Sequence, residues 1–368
     1  MRETEEEDYG LRPIEAPETL PPPDIDSALP TPRRPQDIPI ALIGAGNISE
    51  FHLRAYQSAG FAVKTIASRT LAKAEQRREE FFPQAQATTH LDEVFSDPDV
   101  QIVDLTPHPA ERLPLIEQAL QAGKHVLSQK PLVTDLSEGR RLAQLAEEHH
   151  VHLAVNQNGR WAPHFRTLRA AIQSGLIGRV RSVDVQLQWD QTWVAGNPHF
   201  EAIHHLVLFD FGIHWFDICH CFLEGHSPQT LSAVTTQFPE QAFGPPALAS
   251  TWIAYEDAQV RLCFNAHTQH GTEDVTTIVG ERGTLRSRGP GLNDQSDIDL
   301  FLPEGQARIP LSGSWFEDGF TGAMGELLVA LEERRVPDHS AHRVLPSLEL
   351  CLAALESADH GGAPISLR

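Results

Sequence analysis

The stretch "IPIALIGAGNISEFHLRAYQSAG", Ile38 to Gly60, passes from a short apolar run into a glycine turn and then into a segment of helical period. Gly44 permits the tight turn, and Gly46 lets backbone amides approach a pyrophosphate. The amino terminus of a helix beginning near Ser49 adds partial positive charge at the same place. Ala45, Asn47 and Ile48 complete the loop. Ser49 stands where a third glycine would complete G-x-G-x-x-G; that position governs helix-to-strand packing, so a small serine is compatible. The motif is weak alone and gains weight only between a strand and a helix of an alternating pattern.

Working outward, that pattern is present. "VKTIAS", a helix from about Thr70, "VQIVDLT", "ERLPLIEQALQAGK", "HVLS", "DLSEGRRLAQLAEEHH" and "VHLAVNQ" alternate strand with helix. Such alternation predicts a parallel sheet with helices on both faces, a Rossmann dinucleotide-binding domain over 38–156. Gly123 and Lys124 read as a helix stop feeding the next strand. After Asn156 the rhythm changes, and "VRSVDVQLQW", "STWIAYEDAQVRLCFNA" and "VTTIVGERGTLRSR" alternate with period two, with "YEDAQ" and "GERGT" at hairpin positions. These predict a second, α+β domain over 157–345, a mainly antiparallel open sheet with helices on one face. A C-terminal helix and tail follow over 346–368. Residues 1–37 are rich in Pro, Glu and Asp without helix or strand period, and read as a disordered tail or as an extended arm laid on a neighbouring subunit.

The chain has 368 residues, 40% of them hydrophobic, which is enough for two ordinary domains. A net charge of -21 argues against nucleic-acid or anionic-membrane partners. The longest apolar runs are too short to span a bilayer, and "MRETEEEDYG" is not ordered like a secretory signal, so a soluble, cytoplasmic protein is expected. Four unevenly spaced cysteines, Cys219, Cys221, Cys263 and Cys351, read as reduced.

The end of the second strand usually carries an acid for the ribose hydroxyls of NAD. Here it reads Ser68-Arg69-Thr70, which supplies hydrogen-bond donors and a cation and no carboxylate. NADP(H) is therefore favoured, with NAD(H) the alternative. Arg69 can instead stack on the adenine or lie in solvent.

Taken together, "GAGNISEFHLRAY", "DLTPHPAERLPLIEQALQAGKHVLSQKPLV" and "FDFGIHWFD" resemble the Gfo/Idh/MocA family (glucose-fructose oxidoreductase, inositol dehydrogenase, MocA) from about Ile38 onward. The resemblance implies a strand-end lysine beside the nicotinamide, matched by Lys130. It implies a cis bond from that lysine to Pro131, and contacts from it to substrate hydroxyls and cofactor ribose. Gln129, also counted among the cofactor contacts, replaces the family's usual glutamate and removes a charge next to the lysine. Asp210 and His214 reproduce an Asp-x-x-x-His element, whose spacing on a helix puts both side chains on one face. Asp217 is positioned to orient the imidazole. Thr106, Pro107 and His108 match the loop under the nicotinamide ribose. Asn158, Arg160 and Trp161 match a segment with candidate substrate or cofactor contacts. The resemblance further implies a carbohydrate-like substrate and a homodimer or homotetramer.

The chemistry accounts for these residue types. Moving a hydride from a secondary alcohol leaves an oxygen with a proton to lose. A histidine can take it, and a lysine ammonium can stabilise the negative charge that develops. Asp210 would accept substrate hydroxyls and steady the lysine or imidazole. Trp161, Trp189, Trp193 and Trp215 are candidate faces for a sugar ring. The same residues also suit cofactor-assisted elimination or glycoside cleavage, or a non-catalytic cofactor-binding sensor. His204, His205, His214, Cys219, His220 and Cys221 lie close in sequence, but their spacing follows no usual zinc pattern, and no metal is expected.

Overall fold

The alternating segments after Ile38 form a six-stranded parallel sheet in the computed structural model, which describes residues 17–367. Its strands are β1 (Ile40–Ile43), β2 (Val63–Ala67), β3 (Gln86–Thr88), β4 (Ile102–Leu105), β5 (His125–Gln129) and β6 (Leu153–Asn156). The helices between them are α1 (Asn47–Ala59), α2 (Leu71–Phe81), α3 (Leu91–Ser96), α4 (Pro109–Gln121) and α5 (Leu136–Glu148). The order β3-β2-β1-β4-β5-β6 makes the chain change direction between β1 and β4, which opens a crevice at their carboxyl ends. β1, β4 and β6 are buried along their whole length, as expected for strands covered on both faces.

Beyond α6 (Pro163–Gln173), β7 (Val180–Gln188) enters a second sheet of nine strands. After it come α7 (Pro198–Glu201), α8 (Ile213–Phe222), β8 (Pro228–Thr236), β9 (Leu248–Tyr255), β10 (Gln259–Asn265), β11 (Glu273–Gly280), β12 (Thr284–Gly289), β13 (Asp297–Leu302) and β14 (Gly305–Pro310). The chain closes with α9 (Trp315–Glu333), α10 (Ala341–Asp359) and β15 (Ile365–Ser366). β7 and β10 pair in parallel, and the other pairs in this sheet are antiparallel. Burial alternates along β9 and β10, so one face meets helices and the other faces out. The hairpin turns at Tyr255–Gln259 and Gly280–Thr284 fall where the sequence placed them.

One boundary differs from the sequence reading, and one helix packs across the division. A division between residues 345 and 346 cuts α10, because Pro346 is accommodated inside that helix. α9 also belongs to both halves: Phe320, Met324, Leu327 and Leu328 share one core with Ile40, Leu42, Leu53 and Ile102 of the parallel-sheet side. Gly322 lets α9 lie close to Trp161, since a Cβ there would lie 2.2 Å from that ring.

Residues 17–37 run along their own chain and are tied to it at several points. The Leu20 amide donates to the Gln306 carbonyl at the edge strand β14, and the Gln306 amide donates to the Glu18 carbonyl, both at 2.7 Å. Farther along, the Arg33 and Arg34 amides donate to the Glu332 carboxylate at 2.9 and 2.8 Å. Unpaired edge groups of β14 and the Glu332 charge supply the partners that composition does not reveal. The rest of the sequence-predicted tail lies outside the described residues. Among those described, no helix is long and apolar enough to cross a membrane.

Candidate active site

At the carboxyl edge of the parallel sheet a cleft of about 700 Å³ opens. Of the proposed cofactor contacts, Gly44 to Ile48, Ser68 to Thr70 and Thr106 to His108 line it. Gly44 has φ +109, and a Cβ there would lie 2.4 Å from Thr106 Oγ1, so only glycine suits the turn. Thr106 Oγ1 donates to the Gly44 carbonyl at 2.7 Å and ties the loop after β4 to the turn. Gly46 precedes α1, no side chain caps that helix, and a Cβ on Gly46 would meet nothing within 4 Å. The amides of the first turn are thus available to an anion, which fits a dinucleotide pyrophosphate.

Arg69 is well exposed and pairs with the Glu111 carboxylate at 2.9 Å at the cleft. Lys73, one turn beyond Thr70, and Thr89 also line this side. On the other side Asn197, His199 and Phe200 come from the second sheet's domain, and the His199 ring sits 3.6 Å from that of His108. Burial, then the neighbouring His199, lowers the His108 imidazole below its ordinary range. Lys73 could have been found from its helical spacing. His199 and Phe200 carry no local signal, because only the meeting of domains brings them in.

Lys130 follows β5, and its bond to Pro131 is cis. Its Nζ donates to the Asp210 carbonyl at 2.7 Å and lies 3.4 Å from Asp210 Oδ1, with both side chains largely buried. Asp210 does not lie on a regular α-helix. Val207–Phe211 winds as a π-helix, with the Gly212 amide donating to the Val207 carbonyl at 2.8 Å, and α8 starts at Ile213 with His214 in its first turn. Such π turns recur at functional sites. Burial, then the Lys130 charge, holds the His214 imidazole well below its ordinary range, so it stands neutral. Its Nδ1 is buried without a partner beside Gly159, and the Trp315 ring stands edge-on at 5.6 Å. Nε2 is left as the accessible nitrogen.

Several expectations are redirected. Asp217 does not orient His214: its carboxylate takes two bonds of 2.7 Å from Arg160 and one of 2.9 Å from Ser347. Arg160 is therefore a buried strut, which also donates to the Asp338 carbonyl at 2.6 Å, and it does not line the cofactor cleft. Its always-charged fork is matched to a buried carboxylate, away from the cofactor cleft. Trp161 is buried against Gly322 and edge-on to His339, away from the cleft. Trp189 and Trp215 are likewise core residues; among the sugar-stacking candidates only Trp193, 62% exposed, presents a face. Asn158 is buried, with its Oδ1 accepting from Trp315 Nε1 at 3.2 Å. Gln129 faces the sheet interior instead of the cleft; its Oε1 accepts from the Lys130 amide at 2.7 Å.

Arg112 escaped sequence reasoning. Its buried guanidinium donates to the Pro107 carbonyl at 2.5 Å and to the Pro131 carbonyl, clamping the loop under the cleft to the loop that carries Lys130. Burial lowers it to about 9, and the Asp210 charge opposes that shift. Of the sequence cluster of His and Cys, the fold joins His204 and His205 to Asp359, where a 2.9 Å bond from His205 to Asp359 accounts for the grouping.

Comparison with known proteins agrees with this architecture. Residues 38–157 match the family model described as "Oxidoreductase family, NAD-binding Rossmann fold", and residues 165–286 match "GFO/IDH/MocA C-terminal domain". An uncharacterized oxidoreductase of Schizosaccharomyces pombe (C115.03) is 31% identical over 120 residues, covering 33% of each chain. The chain thus matches about a third of that relative's length. Inositol 2-dehydrogenase of Rhizobium meliloti is 22% identical over 329 residues, covering 86% of this chain and 95% of that one. An oxidoreductase from Agrobacterium radiobacter, solved with NAD+, L-tartaric acid and magnesium, has the same fold with a TM-score of 0.81. It is 21% identical, and the match covers 90% of this chain and 98% of that one.

Proposed function

The chain belongs to the Gfo/Idh/MocA oxidoreductase family, with an NAD-binding Rossmann domain, and from that premise we propose that it is an NAD(P)-dependent dehydrogenase or reductase acting on CH–OH groups. It transfers hydride between the nicotinamide and a secondary hydroxyl or ketone of a sugar, cyclitol or related polyol. The observation that carries this reading is the convergence of Lys130, Asp210 and the neutral His214, with the Asp210 charge acting on His108 of the cleft lining.

The cofactor supplies the hydride acceptor or donor when bound in the cleft. Gly44 to Ile48 would hold its pyrophosphate and Thr106 to His108 its nicotinamide side. For an alcohol substrate, His214 Nε2 takes the hydroxyl proton, which an uncharged imidazole can do. The Lys130 ammonium hydrogen-bonds the same oxygen and stabilises its growing negative charge, while Asp210 holds the ammonium in place. Asp210, beside Lys130, serves further substrate hydroxyls. A homo-oligomer formed through the outer face of the second sheet is supported by Val234, Trp252 and Val279, which are exposed there.

NADP(H) is favoured over NAD(H), because Arg69 and Lys73 flank the cleft where no carboxylate occupies positions 68–70. Fluorescence titration with NADPH and NADH tests this, followed by an absorbance screen of sugars and inositols with the tighter cofactor. NADPH should bind tighter, and Arg69→Ala should reduce its advantage about tenfold. A preference for NADH that survives Arg69→Ala discards the assignment, and failure to bind either cofactor discards the enzyme reading.

A further inference from the structure

Gln129, the departure from the family's glutamate, opens onto a hydrogen-bond chain whose direction can be read from one end. The Lys130 amide is a donor, so the Gln129 atom 2.7 Å away is the acceptor Oε1, and the Gln129 NH2 must face the other way. There it meets His52 Nε2 at 3.3 Å, and the Asn156 side-chain nitrogen lies 3.3 Å from the same ring atom. An amide donor requires a bare lone pair on Nε2, so the ring proton sits on Nδ1. Nδ1 lies 2.8 Å from Asp104 Oδ2, which also accepts from Tyr56 at 2.7 Å. His52, Tyr56, Asp104 and Asn156 are fully buried and Gln129 nearly so, so each group depends on its neighbours for hydrogen bonds.

We propose that His52 is a positioning residue for Lys130, acting through Gln129 as a neutral Nδ1–H imidazole. Glutamine at position 129 is what keeps that ring uncharged. A glutamate there would still accept from the Lys130 amide, but it has no hydrogen to give His52 Nε2. To donate from Nε2 while Nδ1–H stays on Asp104, the ring would carry a second proton, placing a cation between the Asp104 carboxylate and the introduced one. With glutamine, Asp210 is the one carboxylate within ion-pair distance of the Lys130 ammonium among the described residues. The lysine's surroundings are thus set from behind by amide chemistry and from the front by Asp210.

The protonation half of this proposal stands apart from the assigned activity; the positioning half rests on the hydride-transfer reading. Long-range ¹H–¹⁵N NMR of the ¹⁵N-histidine-labelled full chain at pH 7 tests the first half. It should show an Nδ1–H tautomer that disappears in His52→Gln and turns into an imidazolium in Gln129→Glu. An imidazolium or Nε2–H form at His52 in the parent protein overturns the proposal, whether or not a substrate is known. For the second half, Gln129→Ala and His52→Gln should each lower kcat about tenfold to a hundredfold, with cofactor Kd within about twofold, the size expected of a small misplacement of a catalytic group. The double variant should be no worse than the poorer single one, because both cut the same chain. Additive losses, or an unchanged kcat, overturn the positioning role. If His52→Gln fails to fold, Gln129→Met and Gln129→Glu supply both readouts.

Discussion

Lys130 ends a buried strand with its ammonium on the carbonyl and carboxylate of Asp210, which explains how a cation persists there. Its place in the fold was legible because a lysine before a proline at a strand end, an Asp-x-x-x-His element and a glycine turn are local patterns that agree. Arg112 was not legible, since its partners are two backbone carbonyls, and carbonyls leave no mark in a sequence. Arg160 misled for a related reason: it sits in a motif that suggests a ligand, yet its guanidinium is held by Asp217 and the Asp338 carbonyl. The clamp formed by Arg112 predicts a measurable cost. Arg112→Met leaves the Pro107 and Pro131 carbonyls without their donor and should lower the unfolding free energy by about 2–3 kcal/mol in urea titrations. Unchanged stability would show that the carbonyls find other partners.

At the level of elements, hairpins and βα turns followed from Gly, Asp and period-two alternation, and the glycine turn followed from its flanking strand and helix. The π-helix Val207–Phe211 did not, because a five-residue turn is imposed by packing and the spacing from Asp210 to His214 reads equally well as α-helical. β11 and β12 hold another feature that alternation hides. Asp274 is buried opposite Gly289, accepts from Gln295 Nε2 at 2.9 Å, and leaves Oδ1 unpartnered; two register positions on, Thr276 faces Ser287, and their buried hydroxyls also lack hydrogen-bond partners. Burial, only partly offset by the Gln295 bond, pushes its carboxyl up to about 7 from an ordinary value of 3.8. Between those values the folded chain holds a proton that the unfolded chain has released, so this group makes stability fall as pH rises through the window. Asp274→Asn removes that penalty. In urea melts it should match the parent near pH 4 and exceed it at pH 8 by on the order of 2–4 kcal/mol. A difference that does not change with pH would contradict this account.

Over the whole molecule, the sequence announced two domains by the change from alternating strand and helix to period-two strands. It did not announce how they interlock. α9 comes late in the chain yet completes the core of the first sheet, and residues 17–37 run from the edge strand β14 to the end of α9. Those contacts depend on pairs far apart in sequence, where a single chain offers no periodicity to read. The same interlocking brings Lys130 of one domain to Asp210 and His214 of the other, and brings His199 over His108 at the cleft. Single-turnover kinetics of Lys130→Met and His214→Gln, with cofactor saturation checked by fluorescence and a substrate from the polyol screen, tests that convergence most directly. The account predicts that each variant binds cofactor within about twofold of the parent while hydride transfer slows by about a hundredfold or more. Hydride transfer at the parental rate in either variant would contradict it.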